Sequence, residues 1–116
     1  MANHADVNSA IQLENSNVST ALLPELGGKM ISLKDKHSEF EFLFQNPRGE
    51  YKLPGEYDGF ADYDASGFDD AFPNINESVS QVNGMDVHFP DHGEIWRTRM
   101  NARQDEFGVT LIEKVD

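Results

Sequence analysis

The strongest structural signal in the chain is the segment Val79-Ser80-Gln81-Val82-Asn83-Gly84-Met85-Asp86-Val87-His88-Phe89. Apolar and polar residues alternate on both sides of Asn83-Gly84, a dipeptide that favours a type I′ turn between two antiparallel strands. In the register that this turn sets, Val82 faces Met85, and alternate side chains project to opposite faces. The segment therefore predicts a β-hairpin.

The rest of the chain has the same short apolar runs between turn residues, and no apolar stripe of helical length and period. Predicted strands are Ala10–Glu14, Val18–Leu23, Lys29–Lys34, Glu39–Phe44, Ile95–Ala102 and Phe107–Val115. In Glu39–Phe44 three phenylalanines recur at period two, which predicts a half-buried strand. We expect residues 1–116 to form a single all-β domain with antiparallel sheets.

Two connecting segments have their own signatures. Gly27-Gly28 follows Pro24, and paired glycines permit the positive φ of a sharp reversal between two strands. From Gln45 to about Gly67 turn signals alternate with aromatic and acidic residues. Because structureless loops longer than about 12 to 15 residues are uncommon in compact domains, we expect this loop to lie at the rim of a site.

Composition excludes several classes of function. Nine Lys plus Arg stand against 21 Asp plus Glu, a formal net charge of −12, which repels phosphate backbones and anionic lipid. Nucleic acid and membranes are therefore not expected partners, whereas an acidic cleft suits cations or neutral polyols. The chain has no cysteine, which excludes disulfides and thiolate sites. Without a signal-peptide pattern or a long apolar run, the expected location is the cytoplasm.

The candidate site is Asp91-His92-Gly93-Glu94-Ile95-Trp96, which follows the predicted hairpin. It places a histidine, two carboxylates and the only tryptophan within six residues. Imidazole and carboxylates hydrogen-bond sugar hydroxyls, and an indole face covers the C–H side of a pyranose, so the segment suits a sugar. Two alternatives stay open: His92 as a hydrogen-bonded turn residue, and Trp96 as part of the core.

Metal sites are less well supported by the spacing. The segment Asp62–Gly67 begins like an EF-hand loop, but the twelfth position, which needs a glutamate, is Pro73. A cluster of His88 and His92 with nearby carboxylates would suit a divalent ion. His88, however, is expected on the solvent face of the hairpin, so we predict no metal site.

Four segments recur together, in order, in a known family. They are Leu23-Pro24-Glu25-Leu26-Gly27-Gly28-Lys29-Met30-Ile31-Ser32-Leu33, Gln45-Asn46-Pro47-Arg48-Gly49, Gly67-Phe68-Asp69-Asp70-Ala71-Phe72-Pro73 and Asp91-His92-Gly93-Glu94-Ile95-Trp96. With these segments the chain resembles the aldose 1-epimerase (galactose mutarotase-like) family, over the N-terminal portion of the family's domain. The resemblance implies an antiparallel β-sandwich, and anomer interconversion by acid/base ring opening without a metal or cofactor.

The resemblance also implies roles for individual residues. His92 looks like the family's first active-site histidine, which hydrogen-bonds the sugar near its ring oxygen. Substrate contacts are expected from Asp69, Asp70, Glu94 and Trp96. The family's second histidine and its glutamate base lie beyond Asp116, so we expect the site to be completed by further sequence.

The implied partner is a monosaccharide, an aldohexose in either its free or its phosphorylated form. A guanidinium of Arg97 or Arg99 suits a phosphate, with ion pairing to nearby carboxylates as the alternative. A non-catalytic carbohydrate-binding or regulatory module is the second functional hypothesis. The third is self-association, in which the open edge of Phe107–Lys114 pairs with another copy.

Overall fold

The computed structural model describes residues 4–113, and this part of the chain is built from antiparallel β-strands. The strands are β1 (His4–Ala5), β2 (Ile11–Glu14), β3 (Val18–Leu23), β4 (Lys29–Asp35), β5 (Tyr51–Lys52), β6 (Ser78–Val82), β7 (Met85–Phe89), β8 (Asn101–Gln104) and β9 (Val109–Ile112). The only helical elements in this range are 3₁₀ turns of three residues, at Val7–Ser9, Pro24–Leu26, Phe60–Asp62 and Ile95–Arg97. The predicted all-β class is confirmed.

The largest sheet has the order β2-β3-β4, and the remaining strands form the pairs β1-β5, β6-β7 and β8-β9. The connection from β3 to β4 turns sharply at Gly27 and Gly28, whose φ angles are +63° and +73°. A Cβ at Gly27 would lie 2.1 Å from the main-chain oxygen of Ile95, so only glycine fits there. The predicted reversal therefore also brings this turn against the segment that follows His92.

The β6-β7 hairpin has the predicted register, with Val82 opposite Met85. Asn83 and Gly84 both have positive φ, +53° and +79°, as the predicted type I′ turn requires. The hairpin ends at Phe89, so Asp91–Trp96 lies directly beyond the end of β7.

The predicted strand at Glu39–Phe44 is wrong. Phe40, Phe42 and Phe44 do share a face, but they are 60%, 57% and 71% exposed. Glu41 points inward instead, and its carboxylate accepts from the hydroxyl of Ser32 and the main-chain N–H of Leu33. The positive φ of Glu39, +60°, interrupts the extended backbone, and a shift of one residue exchanges the two faces of a strand.

The ends of two further predicted strands also differ from the structure. The segment Ile95–Ala102 begins with the 3₁₀ turn Ile95–Arg97, and the strand starts only at Asn101. In the last predicted strand, Phe107 is 91% exposed and precedes β9, while Lys114 and Val115 lie outside the described residues. β8 and β9 form an isolated two-stranded ribbon, which leaves few neighbours to cover their side chains.

The buried core is small and lies where β1, β3, β5 and the Pro24–Leu26 turn meet. Leu23 is fully buried there, and Ala5, Leu26 and Tyr51 surround it. The described residues span 55 × 32 × 28 Å, and many large apolar side chains outside this core are exposed. No helix within residues 4–113 has the length and apolar character needed to cross a membrane.

Candidate functional site

His92 lies in a tight turn with an unusual backbone conformation. The N–H of Gly93 donates to the main-chain oxygen of Pro90 at 2.9 Å, and His92 has a φ of +61°. The N–H of His92 donates to the main-chain oxygen of Ile75 at 2.7 Å, which ties the turn to a neighbouring segment. Left-handed backbone is uncommon outside glycine and is held here by these surrounding bonds.

Asp91 orients the imidazole of His92. Its Oδ1 lies 2.8 Å from Nδ1 of His92, and its Oδ2 accepts from the N–H of Phe60 at 2.9 Å. The Phe60 N–H and, secondly, the His92 side chain lower the pKa of Asp91, so this carboxylate is ionised at neutral pH and only accepts. Nδ1 of His92 must then carry a hydrogen, which leaves Nε2 of the neutral ring as the acceptor.

Aromatic rings support the imidazole from one side. Phe60 stacks on His92 with ring centroids 4.2 Å apart and planes 15° apart. Phe60 and Trp96 meet edge to face at a centroid distance of 5.2 Å, and Tyr63 also contacts the indole, with ring centroids 5.8 Å apart. The Gln45–Gly67 loop thus supplies Phe60 and Tyr63, and it lies against His92 and Trp96.

Trp96 forms a buried support beneath the site. Its side chain is 3% exposed, and its Nε1–H donates to the main-chain oxygen of Asp91 at 3.1 Å. This hydrogen bond ties the turn around His92 to the core. In this arrangement the indole contacts Phe60 and Tyr63, and the direct sugar contact expected of Trp96 stays a prediction.

The segment that carries Asp69 and Asp70 is joined to the His92 turn through Phe72. The main-chain oxygen of Phe72 accepts from the N–H of Glu94 at 2.8 Å. Gly93, with a φ of +73°, permits this approach, because a Cβ there would lie 2.0 Å from the same oxygen. Two of the segments that carry the family resemblance are therefore in direct contact.

Asp69 and Asp70 have different environments, as expected for neighbouring residues of an extended segment. Asp69 is largely buried and accepts from Nζ of Lys29 at 2.6 Å. Lys29 is itself 2% exposed and also lies 3.6 Å from Oδ2 of Asp64. Burial raises the pKa of Asp69, although the Lys29 ammonium opposes that shift. Asp70 is exposed, so it is the member of the pair that is open to a ligand.

Three charged residues, Glu94, Arg97 and Arg99, follow His92 in the sequence. Glu94 is half-buried, and within residues 4–113 its carboxylate has no hydrogen-bond partner. Arg99 pairs with Glu25 at 2.5 Å, which is the ion pair expected as the alternative to a phosphate contact. Nε of Arg97 is buried and without a partner among the described residues.

His88, like His92, stacks on an aromatic ring and lies beside a carboxylate. It stacks on Tyr57 with ring centroids 5.2 Å apart, and its Nε2 lies 2.8 Å from Oε1 of Glu77. In contrast to His92, its Nε2 is engaged by this carboxylate. The structure therefore does not bring His88 and His92 together as a pair of ligands among the described residues.

Sequence reasoning missed Phe60 and Lys29. No local pattern marks Phe60, because its contact with His92 comes from a distant part of the chain. The burial of Lys29 could have been predicted, because side chains two residues apart in a strand lie on the same face. Lys29 therefore shares a face with the apolar residues Ile31 and Leu33, which is expected to point inward. A buried lysine needs a carboxylate partner, and the acidic segment around Asp69 offered one.

Comparisons of the chain with protein-family models, with curated proteins and with solved structures found no match. The family resemblance accordingly rests on the four sequence segments.

Proposed function

We propose that this chain carries part of an aldose-binding site in which Nε2 of His92 hydrogen-bonds the sugar near its ring oxygen, as in aldose 1-epimerase-like proteins. In this proposal the antiparallel sheets are the N-terminal part of a galactose mutarotase-like β-sandwich. The observation that carries the proposal is the state of the His92 ring. Asp91 holds Nδ1 at 2.8 Å and Phe60 covers one face, while Nε2 has no partner among the described residues.

The proposed chemistry divides the two proton transfers of ring opening between different groups. By the family resemblance, a second histidine outside this chain donates a proton to the pyranose ring oxygen, which favours cleavage of the bond between that oxygen and C1, while Nε2 of His92 hydrogen-bonds the sugar beside that atom. A base removes the proton of the anomeric hydroxyl, C1 becomes a carbonyl, and rotation followed by reclosure gives the other anomer. By the family resemblance, that base is a glutamate outside this chain. Asp91 holds the His92 ring in the orientation that this hydrogen bond requires.

A test compares the affinity of the chain for glucose and galactose with that of His92→Asn. Asparagine tolerates the left-handed backbone at this position, so the variant keeps the turn. His88→Asn is the matched control, because His88 is also stacked on an aromatic ring and paired with a carboxylate. Chemical-shift titration should give affinity about 10-fold or more weaker for His92→Asn and unchanged for His88→Asn. Equal affinities for all three proteins would exclude the proposed contact.

Non-catalytic carbohydrate binding is the second candidate, because the Asp91 carboxylate that contacts His92 does not itself supply a base. Both oxygens of this carboxylate are engaged, Oδ1 by His92 and Oδ2 by the N–H of Phe60, and its pKa is lowered. Asp91 is therefore a poor base for the anomeric hydroxyl. Exchange spectroscopy of the two anomers separates the candidates: a binding module shows saturable sugar binding without faster exchange, whereas an epimerase accelerates exchange.

A further inference from the structure

A concave surface lies apart from the His92 turn. It is an open cleft of about 360 Å³ between the Asn46–Gly49 turn, β5 and residues 62–65. Its charged lining residues are Arg48, Glu50, Lys52, Asp62 and Asp64, and Tyr63 adds an aromatic wall. His92 and its neighbours do not line this cleft. Its volume falls within the range of about 300 to 1,000 Å³ that is typical of small-molecule sites.

The acidic residues of the cleft are largely committed to other partners. Glu50 pairs with His4 at 3.4 Å. Asp64 accepts from the hydroxyl of Ser66 and lies 3.6 Å from Nζ of the buried Lys29. Asp62 is the remaining carboxylate of the lining.

The two cations of the cleft are uncommitted. Within residues 4–113, neither Arg48 nor Lys52 has an ion pair. Lys34, Arg97 and Arg103 also lack an ion pair in this range, so what distinguishes Arg48 and Lys52 is that both line one cleft. The cleft also carries three carboxylates, so an anion is favoured only where it contacts the guanidinium and the ammonium directly, since both groups give strong charge-assisted hydrogen bonds.

The backbone beneath both cations is ordered by hydrogen bonds. Oδ1 of Asn46 accepts from the N–H of Arg48 at 2.8 Å, and its Nδ2 donates to the main-chain oxygen of Glu50 at 2.5 Å. Lys52 lies in β5, where its backbone is opposite His4 of the neighbouring antiparallel strand β1. Binding therefore orders only the two side chains, which limits the entropy lost.

We propose that this cleft binds a small organic anion, whose phosphate or carboxylate lies between Arg48 and Lys52. The cleft is larger than a single anionic group, so the rest of the ligand lies against Tyr63, where the carboxylate of Asp62 accepts from a hydroxyl. This site is independent of the sugar contact proposed for His92. The Tyr63 ring lies 5.8 Å from that of Trp96, so the indole fluorescence reports on the occupied cleft.

The test uses three probes with similar three-carbon skeletons: glycerol 3-phosphate, glycerate and neutral glycerol. Saturable shifts of the Arg48, Lys52 and Tyr63 resonances are expected with the anions at millimolar concentration and not with glycerol. Binding of phosphate alone among the anions defines a phosphate site, and binding of both defines a general anion site. Equal response to glycerol, or no saturable response to either anion, would overturn the proposal.

Substitutions then locate the site. Arg48→Gln and Lys52→Gln should each weaken anion binding about 10-fold or more. Arg103→Gln is the matched control, since Arg103 is exposed on β8 and also lacks an ion pair in the described part of the chain. His92→Asn should leave anion binding unchanged, which separates this proposal from the sugar site. Equal loss in the Arg103 variant would contradict a site at the cleft.

Discussion

The Phe60 ring stacks on the imidazole of His92, with ring centroids 4.2 Å apart and planes 15° apart. Phe60 also donates its main-chain N–H to the carboxylate of Asp91, and the second oxygen of that carboxylate contacts Nδ1 of His92. Phe60 therefore fixes both the ring and the carboxylate that orients it. The Nε2 edge of His92 is left without a partner among the described residues and is open to a ligand.

Substitution of Phe60 by leucine should weaken aldose binding without unfolding the chain. The stack is worth about 0.5 to 1.5 kcal/mol, which corresponds to roughly 2- to 10-fold in affinity. The Phe60 N–H is retained, so the pairing of Asp91 stays intact. Phe107→Leu is the control, because Phe107 is 91% exposed and far from this ring. Equal sugar affinity in both variants would exclude a supporting role for the stack.

The contribution of Asp91 to stability should depend on pH in a defined direction. The Phe60 N–H and the His92 ring lower the folded pKa of Asp91 below its unfolded value of about 3.9. The stabilisation is therefore complete above that unfolded value and is lost as pH falls through the lowered pKa. Urea unfolding should show Asp91→Asn less stable than the parent near neutrality. A stability difference that persists unchanged in strong acid would contradict this origin.

Lys29→Met should destabilise the fold strongly. The substitution leaves the buried carboxylate of Asp69 without its 2.6 Å partner, and breaking a buried pair costs about 3 to 5 kcal/mol. Lys36→Met is the control, since Lys36 and Glu14 form an exposed pair worth about 0 to 1 kcal/mol.

Addition of Asp69→Asn to Lys29→Met should restore part of that stability, because the unpaired charge is then removed. Denaturant unfolding of the two single variants and the double variant measures the coupling. Strictly additive losses would show that the pair does not interact.

Gly93→Ala should separate the two segments that meet at the candidate site. A Cβ at Gly93 would lie 2.0 Å from the main-chain oxygen of Phe72, at a φ of +73°. Strain and overpacking together should cost about 2 to 4 kcal/mol. Gly84→Ala has a similar φ, +79°, but nothing within 4 Å, so about 1 kcal/mol is expected. Similar losses in the two variants, measured by thermal unfolding, would argue against the close contact.

The sequence predicted those parts of the fold whose structure depends on local chemistry. Asn83-Gly84 specifies its own turn and register, and Gly27-Gly28 specifies the reversal after β3. The prediction that the phenylalanines of Glu39–Phe44 form a half-buried face was wrong, because alternation shows which residues share a face but not which face is covered. Here Glu41, by accepting from Ser32 and Leu33, settles that orientation.

In the candidate site, too, the local features were predictable from the sequence and the contacts between distant segments were not. The sequence located His92 and its neighbours, which are close together along the chain. The stack of Phe60, the buried pair of Lys29 and Asp69, and the contact of Phe72 with Gly93 all join segments distant in sequence. Such contacts depend on tertiary packing, which periodicity and turn chemistry do not specify.

The most direct test of the sugar site is the ¹⁵N spectrum of the histidine rings during titration with glucose and galactose. Nε2 of His92 is expected to shift saturably with sugar, while Nδ1, bonded to Asp91, shifts less. The ring of His88 should stay unchanged. A His92 ring that does not respond to either sugar, or that responds no more than His88, would contradict the proposed contact between His92 and the sugar.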